Sequence, residues 1–195
     1  MNATDSGVDT GDGALAARAL EGDEVAYRTL MERHRAAVYR LIHAQIDDVA
    51  AALDITQDSF IAAFANLHRY DRTRPFRFWI IRIALNKTKD WRRRRAVRSF
   101  FSRALPIEEG VHVADQSPDP EAALAERQEL ARARRAIDAL PDNLRSVLLL
   151  RTIEGMAQAE VAGLLGISEK AVETRLYRAR MKLTEMLRET PTARV

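Results

Sequence analysis

Between residues 69 and 103 the chain sets thirteen arginines and lysines against two aspartates, with aromatic rings interleaved among them. The densest part runs Arg74-Pro-Phe-Arg-Phe-Trp79-Ile-Ile-Arg-Ile-Ala-Leu-Asn86-Lys-Thr-Lys-Asp-Trp91-Arg-Arg-Arg-Arg95. Cations spaced in this way track a phosphate backbone, and rings or planar guanidinium groups stack on unpaired bases. Asn86 carries an amide, a group with the donor and acceptor that a base edge calls for. Asn is also a common helix cap, and the residue type alone leaves both roles open. Phe76, Trp79 and Ile83 share a helical face and are most simply core. Lys87, Lys89 and Arg92 to Arg95 have no such use inside a protein, and crowding four arginines together favours an anion to meet them. The plainer reading of a basic run is a solvated face.

A second constellation lies at 155–188. Gln158-Ala-Glu-Val-Ala162-Gly-Leu-Leu165-Gly166-Ile-Ser168 leads into Glu169 to Arg188. Ala162 is small where two helices must cross, and Gly166 falls where the first must stop in a left-handed turn. Ser168 suits the N-cap of the next helix. Val172, Leu176, Ala179 and Leu183 repeat at helical spacing and form an inward stripe. Lys170, Glu173, Thr174, Tyr177, Arg178 and Lys182 are left to face outward, and Arg175, Arg178, Arg180 and Lys182 supply charge for phosphates. This is the pattern of a helix-turn-helix whose second helix enters a DNA major groove. An αα-hairpin that merely packs is the alternative.

Elements that position these residues read as helices throughout. Asp23 is an expected N-cap, followed by an apolar face of Tyr27, Leu30, Met31, His34, Val38, Leu41 and Ile42, with His34 a satisfied core histidine rather than a ligand. Asp47-Asp48 breaks or caps the chain, and Val49, Leu53, Phe60, Phe64 and Leu67 form the next face. Pro75 suits the first turn of a third helix, where its missing N–H is not needed. Residues 102–120 hold Pro106, Gly110, Pro118 and Pro120 among acidic residues, a linker signature. Further helices are expected at about 121–139, 142–153, 157–165 and 169–188, with Pro141 dividing the first two. The expected fold is all-α: two small helical domains, 14–101 and 121–188, joined by a flexible acidic linker at 102–120. The second contains the helix-turn-helix. Residues 1–13 and 189–195 read as tails, the first of them disordered.

Composition narrows the function. The 195 residues are 47% hydrophobic and 30% charged with only 8 glycines, which suits a helix-rich globular protein. The formal net charge is only +3, but charge is segregated: residues 104–121 hold five acids and no base. Such a chain meets a polyanion with one part and not another. There is no cysteine, so disulfides and thiolate metal sites are excluded and a reducing cytoplasm fits. No apolar run approaches the roughly 18–20 residues that span a bilayer, so no membrane insertion is expected. The four histidines are scattered, the Gly-rich phosphate loop is absent, and no catalytic, metal or cofactor constellation stands out.

Three segments carry a resemblance. Asp54-Ile-Thr-Gln-Asp58-Ser-Phe60, then Trp79 to Asn86, then Leu164-Leu-Gly166-Ile-Ser168 through Thr174-Arg-Leu-Tyr-Arg-Ala-Arg180 resemble a bacterial RNA polymerase sigma factor of the sigma-70 family, in its extracytoplasmic-function (ECF) subfamily. The likeness runs from about residue 14 to 188. It implies that 14–101 corresponds to sigma region 2 and 121–188 to region 4. Asp54, Gln57 and Asp58 would carry polar contacts to the β′ clamp helices of core RNA polymerase, whose β subunit is also a partner, within an acidic patch joined by Asp47 and Asp48. Asn86 would sit in a loop that captures a base flipped from the −10 promoter strand, with Lys87, Lys89, Arg92, Arg93 and Arg94 on neighbouring phosphates. Glu173, Thr174, Arg175, Tyr177 and Arg178 would read the −35 element in duplex DNA. Glu173 stands where many relatives carry Lys or Arg, and Glu accepts from cytosine N4. An ion pair with Lys170 or Arg180 is its simpler role. The resemblance also implies an anti-sigma factor as inhibitor. A dimeric helix-turn-helix regulator acting without polymerase is the rival reading, and a nucleic-acid-processing enzyme the third.

Overall fold

The structure is a computed structural model that describes residues 10–46, 48–102 and 120–189. Among them the chain forms eight α-helices and one 3-10 turn, with no strand. The N-terminal unit comprises α1 (Thr10–Leu20), α2 (Glu24–His43), α3 (Val49–Ala65), the turn Leu67–Arg69 and α4 (Phe76–Ser102). The C-terminal unit comprises α5 (Pro120–Ala139), α6 (Asp142–Thr152), α7 (Gln158–Leu165) and α8 (Glu169–Glu189).

Caps explain where α2 and α3 begin. Asp23 accepts from the backbone N–H groups of Val25 and Ala26, and Asp48 from that of Ala51. The bond from the Ala26 N–H, with the Arg18 guanidinium beside it, holds the Asp23 carboxyl below its usual range. This contribution is present above the ordinary carboxylate pKa and is lost as pH falls through the lowered value. Asp47 lies outside the described residues. On α2, Leu30, Val38, Leu41 and Ile42 are buried as the periodicity predicts, while Tyr27 stacks on Phe64 at the rim.

Three expectations need correction. The helix α1 starts at Thr10, inside the stretch read as a disordered tail over 1–13. Asp12 is the reason: only 2% exposed, it bonds His34 Nε2 at 2.6 Å and pairs with Arg33 Nη1 at 2.5 Å. A carboxylate among glycines reads locally as solvated, because its partners lie 21 and 22 residues away. His34 is thereby the satisfied core histidine expected of it. Asp12→Asn is expected to lower the unfolding free energy by about 2 kcal/mol, the scale of a hydrogen bond to a charged group. Urea titration followed by circular dichroism measures it, and an unshifted midpoint would show that α1 is not fastened by this cluster.

The second correction is the phase of α3. Its buried side is Ala52, Ile55, Thr56, Ser59, Phe60 and Ala63, whereas Val49 and Leu53, read as core, are 56% and 47% exposed. Small residues let α3 approach closely, and a helix this apolar supports more than one choice of inward face. Third, no loop interrupts the chain at Asn86. With no Gly or Pro between Pro75 and Pro106, α4 runs unbroken for 27 residues, and the Thr88 hydroxyl folds back onto the Ala84 carbonyl within it.

In the C-terminal unit the turn chemistry is as expected. Gly166 adopts φ 65°, ψ 39° and closes α7, with its N–H and that of Ile167 both bonded to the Ala162 carbonyl. Ser168 Oγ accepts from the Ala171 N–H at 3.1 Å and caps α8. Val172 and Ala179 are fully buried on its inward stripe, with Leu176 and Leu183 packed beside them. The two units dock. Leu41, Ile81 and Leu85 of the first join Val147, Leu149, Leu150, Met156, Val161 and Val172 of the second in one apolar cluster.

Candidate nucleic-acid interface

A helix turns about 100° per residue, so four consecutive arginines cannot share a face. The structure shows the consequence. Arg92 reaches the C-terminal unit, donating to Asp138 Oδ1, to the Asp138 carbonyl at 3.0 Å and to the Gln45 carbonyl at 2.7 Å. Arg93 pairs with Asp90 at 3.2 Å and Arg94 donates to the Asp90 carbonyl, both toward solvent. Arg95 swings back to Asp48 at 3.6 Å and lies over the Trp91 ring, 5.1 Å from its centroid. The run is a fan with separate partners, not the single anion-binding stripe its crowding suggested.

Of the six residues expected at the −10 strand, Asn86, Lys89 and Arg92 line one cleft of about 260 Å³ between the units. Asn86 is exposed on the middle turns of α4, neither in a loop nor at a cap. Lys87 turns away toward Asp58, at 4.0 Å. Trp79 is half-buried against Tyr70 and Phe76, as a core ring should be.

Four of the five residues expected at the −35 duplex share the outward face of α8. Tyr177 is 65% exposed and Arg178 is open to solvent. Glu173 pairs with Lys170 at 2.8 Å, one of the two ion pairs foreseen for it. The Thr174 hydroxyl bonds back to the Lys170 carbonyl at 2.8 Å. Arg175 departs from the set: it is half-buried and lines the cleft that holds Asn86, Lys89 and Arg92. A third surface lies on α3, where Asp54, Gln57 and Asp58 are exposed beside Val49, Leu53 and Ile61. An acidic edge on an apolar ridge suits a partner with basic and apolar residues together.

With the geometry described, comparison with known proteins decides the family. Residues 30–98 match the model for Sigma-70 region 2, and residues 130–183 that for Sigma-70, region 4. The sigma factor NccH of Alcaligenes xylosoxydans xylosoxydans is 40% identical over 179 residues, covering 92% of this chain and 96% of that protein. This chain belongs to the sigma-70 family. Within it, the ECF sigma factor SigF of Caulobacter vibrioides is 34% identical over 90% of this chain and 93% of its own. The solved structure of CnrH in complex with the cytosolic domain of CnrY superposes with a TM-score of 0.68 at 34% identity, covering 93% of this chain and 99% of that one. Sigma factors are transcription-initiation factors rather than catalysts. Among the described residues no helix is long and apolar enough to cross a membrane.

Reading the sequence missed the residues that join the two units. Arg77 Nη2 donates to Glu154 Oε2 at 2.7 Å and to its carbonyl at 2.8 Å, and the Glu154 side chain is fully buried. Arg82 donates to the Leu164 and Gly163 carbonyls, both at 3.1 Å. Arg145 is 2% exposed and binds the last carbonyls of α5. Burial pushes its guanidinium below the ordinary value and Arg92 adds to this, with Asp138 and Asp142 opposing. Nothing in local spacing separates these arginines from their solvated neighbours.

Proposed function

We propose that the helices of this sigma factor divide promoter recognition between them. The α4 side bearing Asn86, Lys89 and Arg92 takes the separated −10 strand, with Lys87, Arg93 and Arg94 on flanking phosphates. The outward face of α8 holds the −35 duplex through Glu173, Thr174, Tyr177 and Arg178, and Arg175 joins once the cleft opens. Asp54, Gln57 and Asp58 dock on the β′ clamp helices of core polymerase. The supporting observation is the placement of the two residue sets on different helices of different units, each on a solvent-facing or cleft-facing side. Melting then needs no covalent step from this subunit, because lost pairing and stacking are exchanged for base capture and backbone contacts. The cytoplasm, where polymerase meets the chromosome, is the compartment of such a factor.

CnrH is solved with the cytosolic domain of CnrY bound. The exposed Val49, Leu53 and Ile61 on α3, and Met181 and Leu187 on α8, offer an inhibitor of that kind apolar surface here. We take control by an anti-sigma factor as part of the proposal. Initiation by purified core polymerase, with start sites mapped after overexpression, tests the whole. If no promoter fires while the isolated protein grips palindromic duplex tightly, the rival regulator replaces the sigma reading.

On a promoter mapped in this way, Arg178→Ala is expected to weaken −35 recognition by about 1–3 kcal/mol, the value of one bidentate base contact. Holoenzyme binding to matched and −35-scrambled promoters measures it. An equal loss on both templates would make Arg178 a phosphate contact.

A further inference from the structure

We propose that the Lys170–Glu173 pair on α8 reads one G·C base pair of the −35 duplex, Glu173 accepting from cytosine N4 and Lys170 donating to guanine O6 and N7. The inference rests on the −35 role proposed for α8 and names the base pair that this role selects. Both residues lie in the leading turns of α8, directly after the Ser168 cap. Those turns are the ones that reach base edges when such a helix enters a major groove. The side chains of Lys170 and Glu173 are 80% and 58% exposed, on the outward face that also carries Tyr177.

An ionised carboxylate accepts hydrogen bonds and donates none. In the major groove the base donors are the amino groups at cytosine N4 and adenine N6, so guanine and thymine give Glu173 nothing to accept. Adenine sets its N7 acceptor beside the amino group, where it opposes the second carboxylate oxygen. Cytosine has no ring acceptor there, and it is the base that remains. Its paired guanine supplies O6 and N7, two acceptors, and the Lys170 ammonium has donors only.

Spacing supports the match. Lys170 Nζ and Glu173 Oε2 lie 2.8 Å apart. Cytosine N4 and guanine O6 are themselves joined by a hydrogen bond, so they stand at the same kind of distance. A donor and an acceptor side by side on the helix therefore face an acceptor and a donor side by side on the base pair. The two side-chain charges cancel, and the exposed Arg178, Arg180 and Lys182 keep α8 attractive to phosphates. A solvated pair of this kind contributes little to stability, so the fold does not depend on it.

Holoenzyme assembled from core polymerase and the full chain, selecting from a duplex promoter library with a randomised −35 element, provides the test. Wild type is expected to prefer one orientation of a G·C pair at a single position by about tenfold over the other three base pairs. Exchanging the two residues, Lys170→Glu with Glu173→Lys, keeps the ion pair and the net charge. It also sets the acid nearer the start of α8, where the helix dipole favours it. The exchange should invert the selected pair at that position and leave the other positions as they were. Glu173→Ala should flatten the preference there, and Lys170→Ala should reduce it while weakening binding to every sequence. A pair that only braces the helix predicts one selected sequence for wild type and exchange alike, and that result overturns the proposal. An undiminished preference in Lys170→Ala overturns it too. Either result leaves the −35 role of α8 standing as long as wild-type holoenzyme selects some sequence in the randomised element. If wild type initiates and selects none, the −35 role falls and the base-pair reading with it.

Discussion

Replacing Arg145 with Met is expected to destabilise the C-terminal unit by about 1–3 kcal/mol, because it takes the guanidinium donor from the Leu140 carbonyl and a charge-assisted bond from those of Ile137 and Asp138, which keep the Leu140 N–H and Arg92. Its guanidinium donates to the carbonyls of Ile137 at 2.9 Å, Asp138 at 2.6 Å and Leu140, and to Asp142 Oδ1 at 3.0 Å. Ile137 and Asp138 lie in the last turn of α5, where a helix leaves its C=O groups without intrahelical partners, and Leu140 follows it. Pro141 follows and has no N–H with which to satisfy any of them. One side chain therefore closes α5 and aligns it with α6. Met fills similar volume but donates nothing. Both tryptophans lie in α4, so fluorescence reports the wrong unit. Hydrogen exchange across 136–150 is the suitable measurement, with α2 and α3 expected to keep their protection. Arg145→Lys should fall between, since it keeps the charge and loses the fork. Wild-type protection in the Met variant would refute this account of the turn.

Reversing Asp54 and Asp58 together to Arg is expected to weaken association with core polymerase by about a hundredfold or more, as like charges facing across an interface cost several kcal/mol. Both side chains are exposed on α3, and Asp58 makes a long ion pair with Lys87 at 4.0 Å. The fold should survive, and an unchanged circular dichroism melt would establish that. The neighbouring Val49, Leu53 and Ile61 stay in place, so any lost affinity belongs to charge. Sedimentation or surface binding with purified core polymerase gives the constant. Equal affinity for wild type and variant would remove α3 from the docking surface and direct attention to the C-terminal unit.

Much of this protein was legible from its residues in order. The stop at Gly166, the cap at Ser168, the inward stripe of α8, the cap at Asp23 and the buried His34 all follow from interactions spanning a few residues or from a 3.6-residue period. Such signals survive without knowledge of the rest of the chain. The three motifs that carry the family likeness are equally local. The failures share the opposite property. The phase of α3 differs from its periodicity because alanines, small enough to be buried anywhere, outweigh Val49 and Leu53 where α2 and α4 close on the helix. Family likeness puts Asn86 in a loop, although no Gly or Pro between Pro75 and Pro106 breaks the helix.

Tertiary contact alone assigned the remaining roles. Asp12 became a fastening for α1 because His34 and Arg33 meet it from 22 and 21 residues away. Arg77 and Arg82 look like any solvated cation until Glu154 and the end of α7 arrive from some 80 residues further on. Helical period and turn chemistry specify which segments coil and which face is oily, because those preferences are paid for within one turn. Which surface meets which, and therefore which arginines are engaged and which stay exposed, depends on desolvation and charge pairing between segments that only the folded chain brings together.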